Sequence, residues 1–126
     1  MKKIKLLIIG LLAIVFAGCG EQSNPEKTVK AFHKAIYEKD FGTAASYILS
    51  TNAEEQAAYT KMLKDIYKGD NAIINFHVYG AAFSTKDAAK VAVSTEVAKA
   101  PKGMSAKDVM IIPLVKSEGS WYINLQ

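Results

Sequence analysis

The chain has 126 residues and a formal net charge of +4, with 16 lysines and no arginine against 12 acidic residues. This length holds one domain with one hydrophobic core and is too short for two. Nucleic-acid binding needs clustered cations, and the lysines here are scattered among Asp and Glu, which argues against a nucleic-acid partner. The one cysteine, Cys19, excludes an intramolecular disulfide and a thiolate metal cluster.

The first eighteen residues have the pattern of an export signal. Three lysines among the first five residues supply a positive start, and an apolar run follows them. The uncharged segment 6–20 has 15 residues, whereas a helix needs roughly 20 to cross a bilayer. Residues 1–18 are therefore predicted to be a removable signal peptide.

The end of this signal, Phe16-Ala17-Gly18-Cys19, resembles the lipobox of bacterial lipoproteins, although that family usually carries Leu in place of Phe16. The resemblance implies that Cys19 receives lipid such as palmitate and becomes the mature N-terminus. It also implies a lipid anchor on the extracytoplasmic face of a bacterial membrane. The alternative is an ordinary secreted protein with a chance cysteine. Cleavage would leave 13 lysines and 12 acidic residues, a net charge near +1.

Residues 20–24 are polar and favour turns, so residues 19–24 are predicted to be the lipidated cysteine and a short tether. A helix is predicted to begin at Pro25, because Asn24 can cap it and proline suits the first helical position. Its apolar stripe recurs at helical spacing and comprises Val29, Phe32, Ile36 and Tyr37. Asp40 then ends this helix and caps a short second one over about residues 41–48.

A third helix is predicted to follow residues 51–54, because Thr-Asn-Ala-Glu has the spacing of a capping box. It runs to about Lys68 and ends at Gly69, a common C-terminal signal. Its stripe comprises Tyr59, Met62, Leu63, Ile66 and Tyr67. The first and third helices share one register, in which His33 takes the position of Leu63. His33 is therefore predicted to be shielded from solvent and neutral.

After Asp70 the hydrophobic period changes from 3.6 to 2, which indicates strands. The predicted inward residues of the first, second and last strands are Ile74, Phe76 and Val78, then Ala89, Val91, Val93, Thr95 and Val97, then Trp121, Ile123 and Leu125. An interruption at 80–82 indicates a bend or bulge. Residues 109–115 are apolar on both faces and should lie inside the sheet, with a bulge at Pro113. A hairpin turn is predicted at 117–120.

Helices followed by antiparallel strands predict an α+β domain in the order α-α-α-β-β-β-β. The strands share one strongly apolar face, which the N-terminal helices can cover. A curved four-stranded sheet around the long first helix forms a cone, and the mouth of a cone is a pocket.

Three segments resemble the nuclear-transport-factor-2-like (NTF2-like) domains, also called cystatin-like cones. They are the opening PEKTVKAF with Ala35-Ile36, the junction Lys39-Asp40-Phe41 with Tyr47, and the ending EGSWYI at 118–123. The match is closest to small bacterial lipoproteins that carry one such domain. The resemblance implies a single cone over residues 25–126. These motifs concern packing and turns, so they imply the fold and say little about activity.

Enzymes with this cone, among them isomerases, dehydratases and hydrolases, place an Asp or His base and tyrosine donors in the pocket. By that resemblance the catalytic candidates are His33, Tyr37 and Asp40, which lie within about 60° on one flank of the first helix. The alternative is structural: a half-buried histidine, an aromatic at the core edge and a helix cap. His77 lies on a polar strand face and is predicted to be solvated. No metal cluster, P-loop, nucleophile elbow or dinucleotide motif occurs in the sequence, so neither metal nor cofactor is expected.

The remaining candidates for function are aromatic. Those that could surround the mouth of the cone are Phe32, Tyr37, Tyr47, Tyr67 and Trp121. Most of them are expected to be core, while a few could bind a small apolar ligand. The other use of the domain is to bind an envelope protein on the outer face of the sheet. The sequence thus predicts a lipid-anchored, non-catalytic binding or accessory domain, with a pocket-based enzyme as the alternative.

Overall fold

The computed structural model describes residues 20–126, so the predicted signal peptide and Cys19 lie outside the described residues. Three helices precede four strands: α1 (Pro25–Tyr37), α2 (Phe41–Ser46), α3 (Ala53–Ile66), β1 (Ile73–Thr85), β2 (Ala88–Val97), β3 (Lys107–Ser117) and β4 (Ser120–Ile123). The strands form one curved antiparallel sheet in the order β1-β2-β3-β4. The predicted α+β class and the order α-α-α-β-β-β-β are confirmed.

Helix α1 is the central helix and packs against β1, β2 and β4. The Asn24 side chain caps it by accepting from the Lys27 N–H at 2.8 Å, and Pro25 occupies its first turn. The predicted stripe residues Val29, Phe32 and Ile36 are buried. The fourth, Tyr37, is 53% exposed, so its prediction as a core residue is wrong. It is the last helical residue, and the chain turns away directly after it.

Helix α2 begins where predicted and buries Ala44 and Ala45. Helix α3 begins one residue later than the predicted capping box, because Asn52 and not Thr51 is the cap. The Asn52 side chain accepts from the Glu55 N–H at 2.8 Å, and the Glu55 carboxylate accepts from the Thr51 N–H at 2.8 Å.

The predicted stripe of α3 is only partly buried, since α3 packs chiefly against α2 and not against the sheet. Leu63 is buried, whereas Tyr59, Met62 and Tyr67 are half-buried at the edge of the core. Ile66 is exposed, which corrects its predicted place in the core. The helix ends there, and Gly69 has the positive φ of +58° that favours glycine.

Strand β2 has the clean alternation predicted for it, with Ala89, Val91, Val93 and Thr95 all buried. In β1 the predicted register is wrong at its start: Ile73 is buried and Ile74 is exposed. An irregularity between Ile73 and Asn75 explains this, because one extra residue reverses which side chains point inward. A second irregularity between Val78 and Gly80 agrees with the predicted interruption near residue 80.

Strand β3 lies between β2 and β4, as predicted, but it has no bulge at Pro113. The register runs without a shift, with Lys90 opposite Pro113. The Pro113 carbonyl accepts from the Asn124 N–H at 2.8 Å, so the proline nitrogen faces the same side, where β4 has already ended at Ile123. The missing donor therefore falls where no partner strand needs it.

The last hairpin is confirmed, with positive φ at Glu118 (51°) and Gly119 (84°), as a type I′ turn requires. Trp121 and Ile123 are buried, as predicted. Leu125 is exposed and not inward, because β4 ends two residues before it.

Two segments cover the free edge of β4. The Trp121 N–H donates to the backbone carbonyl of Gln22 at 3.0 Å. The side-chain amide of Gln22 donates to the Trp121 backbone carbonyl at 2.8 Å. Further along, the Ile123 N–H donates to the Tyr47 carbonyl at 2.7 Å. The polar segment 20–24, predicted to be a tether, is therefore hydrogen-bonded to the sheet at Gln22.

Candidate functional site

His33 is fully buried, with an exposed fraction of 0%. Its Nδ1 lies 2.9 Å from the Val29 carbonyl oxygen and donates to it, since a carbonyl can only accept. Nε2 then holds a buried lone pair without a hydrogen-bond partner among residues 20–126. The ring contacts Phe32 at a centroid distance of 5.1 Å and Phe76 at 5.7 Å. Burial lowers the pKa of His33 below its ordinary value of 6.5, against the opposing effect of the Val29 bond, and favours the predicted neutral form.

The structure does not join His33 to its two predicted catalytic partners. Asp40 is exposed, and its carboxylate accepts from the Thr43 N–H at 3.3 Å and the Thr43 hydroxyl at 2.7 Å, which makes it the cap of α2. Tyr37 is exposed at the end of α1. These three residues share a flank of the helix, but no hydrogen bond joins His33 to Asp40 or Tyr37, and the imidazole is closed off from solvent.

The five aromatic residues predicted around a pocket are distributed between core and surface. Phe32, Tyr47 and Trp121 are buried in the core, Tyr67 is half-buried, and Tyr37 is exposed. Burial raises the pKa of Tyr67, and burial followed by the negative charge of Glu21 raises the pKa of Tyr47. None of the five lines any of the clefts described below. The buried core lies between the inner side of the sheet and the helices.

The sheet face opposite α1, here called the outer face, carries exposed apolar side chains. Tyr79, Val109 and Ile111 are 60%, 62% and 61% exposed. On this face Val109 pairs with Ser94 and Ile111 pairs with Ala92, so the side chains of β2 and β3 form adjacent rows. Apolar side chains of this size are usually covered in a folded protein, and several side by side mark an interaction surface.

Two clefts on the outer face border these rows. One of about 610 Å³ lies between His77, Tyr79 and Val109. The other, of about 420 Å³, includes Ala92 and Ile111. The His77 and Tyr79 rings meet edge to face at a centroid distance of 4.6 Å. We call His77, Tyr79, Ala92, Val109 and Ile111 the outer-face patch.

The sequence predicts the outer face of the sheet as one surface for an envelope protein, but none of the five patch residues is among the predicted site residues. The apolar residues on both faces of segment 109–115 predict burial inside the sheet, and this prediction is wrong for Val109 and Ile111, which point to solvent. Strand β3 is internal in its pairing, but its outward residues have no layer above them among the described residues. His77 is exposed, as predicted from its polar neighbours.

Neither a metal centre nor a membrane-crossing helix is found in the part of the chain that the structure describes. Residues 20–126 contain no group of three His, Cys, Asp or Glu residues that could hold a metal ion. Within the same residues no helix combines the length and apolar character needed to cross a bilayer.

Comparison with known proteins supports the fold. No protein-family model and no curated protein matches this chain. A solved structure named as an NTF2-like transpeptidase of Campylobacter jejuni aligns with a TM-score of 0.57 and 20% identity, covering 82% of this chain and 99% of that one. A SEC-C motif containing protein from Rhodopseudomonas palustris aligns with a TM-score of 0.57 and 14% identity, covering 79% of this chain and 74% of that one. The chain therefore has an NTF2-like fold.

Proposed function

We propose that this chain is a lipid-anchored protein of the cell envelope whose domain binds a protein partner through the outer-face patch and catalyses no reaction. The observation that carries the proposal is the contrast between the two sides of the sheet. The inner side carries the buried core, whereas Tyr79, Val109 and Ile111 on the outer side are about three-fifths exposed. The anchor rests on the resemblance of residues 16–19 to a lipobox.

The interior offers no support for an enzyme. Both histidines lack a hydrogen bond to a serine, a threonine or a carboxylate within residues 20–126, so neither has the partner that activates a nucleophile. The name transpeptidase belongs to the Campylobacter protein, and at 20% identity the likeness concerns the fold alone. A non-catalytic role is therefore favoured over the pocket-based enzyme.

The chemistry of the patch suits a folded protein. Its apolar rows extend over three strands, and charged residues of both signs border them, namely Glu96, Lys107 and Asp108 beside one cleft and Lys90 beside the other. An apolar centre with a mixed polar rim is the usual anatomy of a protein interface. A small apolar ligand would need an enclosed cavity, and both clefts are open to solvent.

The patch can be tested by placing a photo-crosslinking amino acid at Ile111 of the membrane-bound chain. Met104, which is 69% exposed on the loop before β3, is the matched control position. We expect a discrete adduct with another envelope protein from Ile111 and none from Met104. In a purified pair, Ile111→Asp should weaken binding at least about tenfold, because it places a charge at the apolar centre. Binding unchanged by Ile111→Asp would contradict the proposal, and an adduct of two copies would replace the partner by a second copy of this chain.

The anchor is tested by mass spectrometry of the mature N-terminus. Cys19 should carry a diacylglycerol thioether with or without an N-acyl chain, and residues 1–18 should be absent. Two or three acyl chains give effectively permanent attachment at about 0.8 kcal/mol per buried methylene. Cys19→Ala should leave an uncleaved or mislocalised precursor. A bare thiol, or an intact segment 1–18 in the wild-type protein, would refute the anchor.

A further inference from the structure

A group of lysines lies on α1 beside the residue that follows the predicted anchor. One cleft of about 350 Å³ is lined by Gly20, Glu21, Lys27, Lys30, Ala31 and Lys34. Gly20 is bonded directly to Cys19, so this cleft lies at the base of the predicted lipid attachment. We call Lys27, Lys30 and Lys34 the α1 lysine face.

The α1 lysine face points away from the sheet. At about 100° per residue, its three members fall within about 60° of one another around the helix. Val29 and Ile36 lie on the other side of α1, where they are buried against the sheet. The α1 lysine face and the outer-face patch therefore lie on opposite sides of the domain.

The charge of the α1 lysine face is not neutralised by a salt bridge. The one salt bridge found within residues 20–126 joins Lys61 to Asp65 on α3 at 3.0 Å. In the α1 cleft the sole carboxylate is that of Glu21, which lies close enough to Tyr47 for its charge to raise the pKa of that phenol. Glu38 follows α1 and forms no salt bridge with Lys34. The cleft thus presents three cations against one anion.

Helix α3 supplies an internal comparison. Lys61 and Lys64 on α3 and Lys68, two residues after the helix ends at Ile66, have the same spacing in sequence as the three lysines of α1, and we call them the α3 lysines. There the salt bridge to Asp65 neutralises one charge, and none of these lysines lines the cleft that contains Gly20. A stripe of lysines is usually only a solvated helix face. What distinguishes α1 is the combination of unpaired charge with the attachment point.

We infer that the α1 lysine face rests on the anionic headgroups of the membrane that holds Cys19, and that this contact orients the domain with its outer-face patch toward solvent. The inference rests on the proposed lipid anchor. The acyl chains already make attachment permanent, so the lysines add orientation and not anchoring. Each lysine near an anionic surface favours the bound arrangement about fivefold, and three favour it about a hundredfold at low salt.

The inference can be tested on the full lipidated chain in vesicles of phosphatidylcholine, with or without phosphatidylglycerol. Acetylation of individual lysines, measured by mass spectrometry, reports which of them the membrane covers. On phosphatidylglycerol vesicles we expect the α1 lysines to react at least about fivefold more slowly than on phosphatidylcholine alone. Lys61, Lys64 and Lys68 should change less than about twofold, and about 1 M salt, with a Debye length of about 3 Å, should abolish the protection.

Trp121, the only tryptophan, gives a second measurement through energy transfer to headgroup-labelled lipids. The transfer should differ between the two kinds of vesicle for the wild-type chain and for the control Lys61→Gln/Lys64→Gln/Lys68→Gln. The difference should vanish for Lys27→Gln/Lys30→Gln/Lys34→Gln, whose exposed positions leave the core intact.

The outcomes distinguish a failure of the proposed orientation from a failure of the proposed lipid anchor. Failure of the wild-type chain to float with phosphatidylcholine vesicles would overturn the anchor and the orientation together. Flotation with equal acetylation on both kinds of vesicle would overturn the orientation alone. Equal protection of the α1 and α3 lysines would also overturn it, because the attraction would then have no preferred face.

Discussion

The two faces of the sheet are built from similar aliphatic residues and have opposite surroundings. On the inner face Val91 and Val93 are fully buried beneath α1, whereas on the outer face Val109 and Ile111 are more than 60% exposed. The inner face largely obeys the rule that apolar side chains are removed from water, with Phe83 at its edge as an exception at 58% exposed. The outer face departs from that rule, and such a departure is the better indicator of function.

This comparison separates the buried core on the inner face from the binding surface that we propose on the outer face. Changes on the inner face should alter the free energy of unfolding, and changes on the outer face should alter association. The following predictions test that separation, beginning with the largest expected effect.

Trp121→Ala should have the largest effect on stability. Trp121 is 4% exposed on the inner face, where its ring meets Phe83 edge to face at 5.7 Å. Removing it should cost about 3–5 kcal/mol of the free energy of unfolding, because a large buried side chain is replaced by a cavity. A domain of this size has only about 5–15 kcal/mol in total, so the variant should be marginally stable. Chemical denaturation provides the measurement. A free energy of unfolding equal to that of the wild type would show that Trp121 is not part of the core.

Val93→Ala and Val109→Ala form a matched pair across the sheet. The same two methyl groups are removed in both cases, from a fully buried residue and from one that is 62% exposed. Val93→Ala should lower the free energy of unfolding by roughly 2 kcal/mol, and Val109→Ala by less than about 0.5 kcal/mol. Equal losses in denaturant titrations would mean that the outer face is covered in the isolated protein.

The sequence predicts correctly which side chains point inward in a strand that has one polar face. In β2 the residues Lys90 and Ser94 alternate with buried valines, which fixes the register without any knowledge of the fold. In β3 both faces are apolar, so periodicity could not show that Val109 points to solvent. In β1 a single extra residue at Ile74 reversed the expected alternation, and no composition signal marks that irregularity.

The helices show why the candidate site was harder to predict than the fold. Helices α1 and α3 have the same apolar stripe, yet α1 packs on the sheet while α3 packs chiefly on α2. Local spacing determines that a stripe exists, but tertiary placement determines what it contacts. Likewise, the sequence indicates that Tyr47 and Trp121 face inward. It cannot show whether the inner side is hollow, because that depends on how side-chain volumes fit together in three dimensions.

The last prediction concerns His33, a titratable side chain that is fully buried in the core. Because its pKa in the folded protein lies below 6.5, the unfolded chain binds a proton at pH values where the native protein does not. Its contribution to stability is therefore complete above about pH 6.5 and is lost as the pH falls toward the folded-state pKa. His33→Leu should remove this loss, and it should keep or raise stability at pH 8, since it eliminates the unpartnered Nε2.

Denaturant titrations of the wild type and His33→Leu between pH 5 and pH 8 would measure the difference, in which the common effect of the carboxylates cancels. A wild-type protein that becomes more stable as the pH falls from 7 to 5, together with a destabilised Leu variant, would show that His33 is charged in the native state. That result would require a carboxylate partner for His33 and would restore the case for an enzyme.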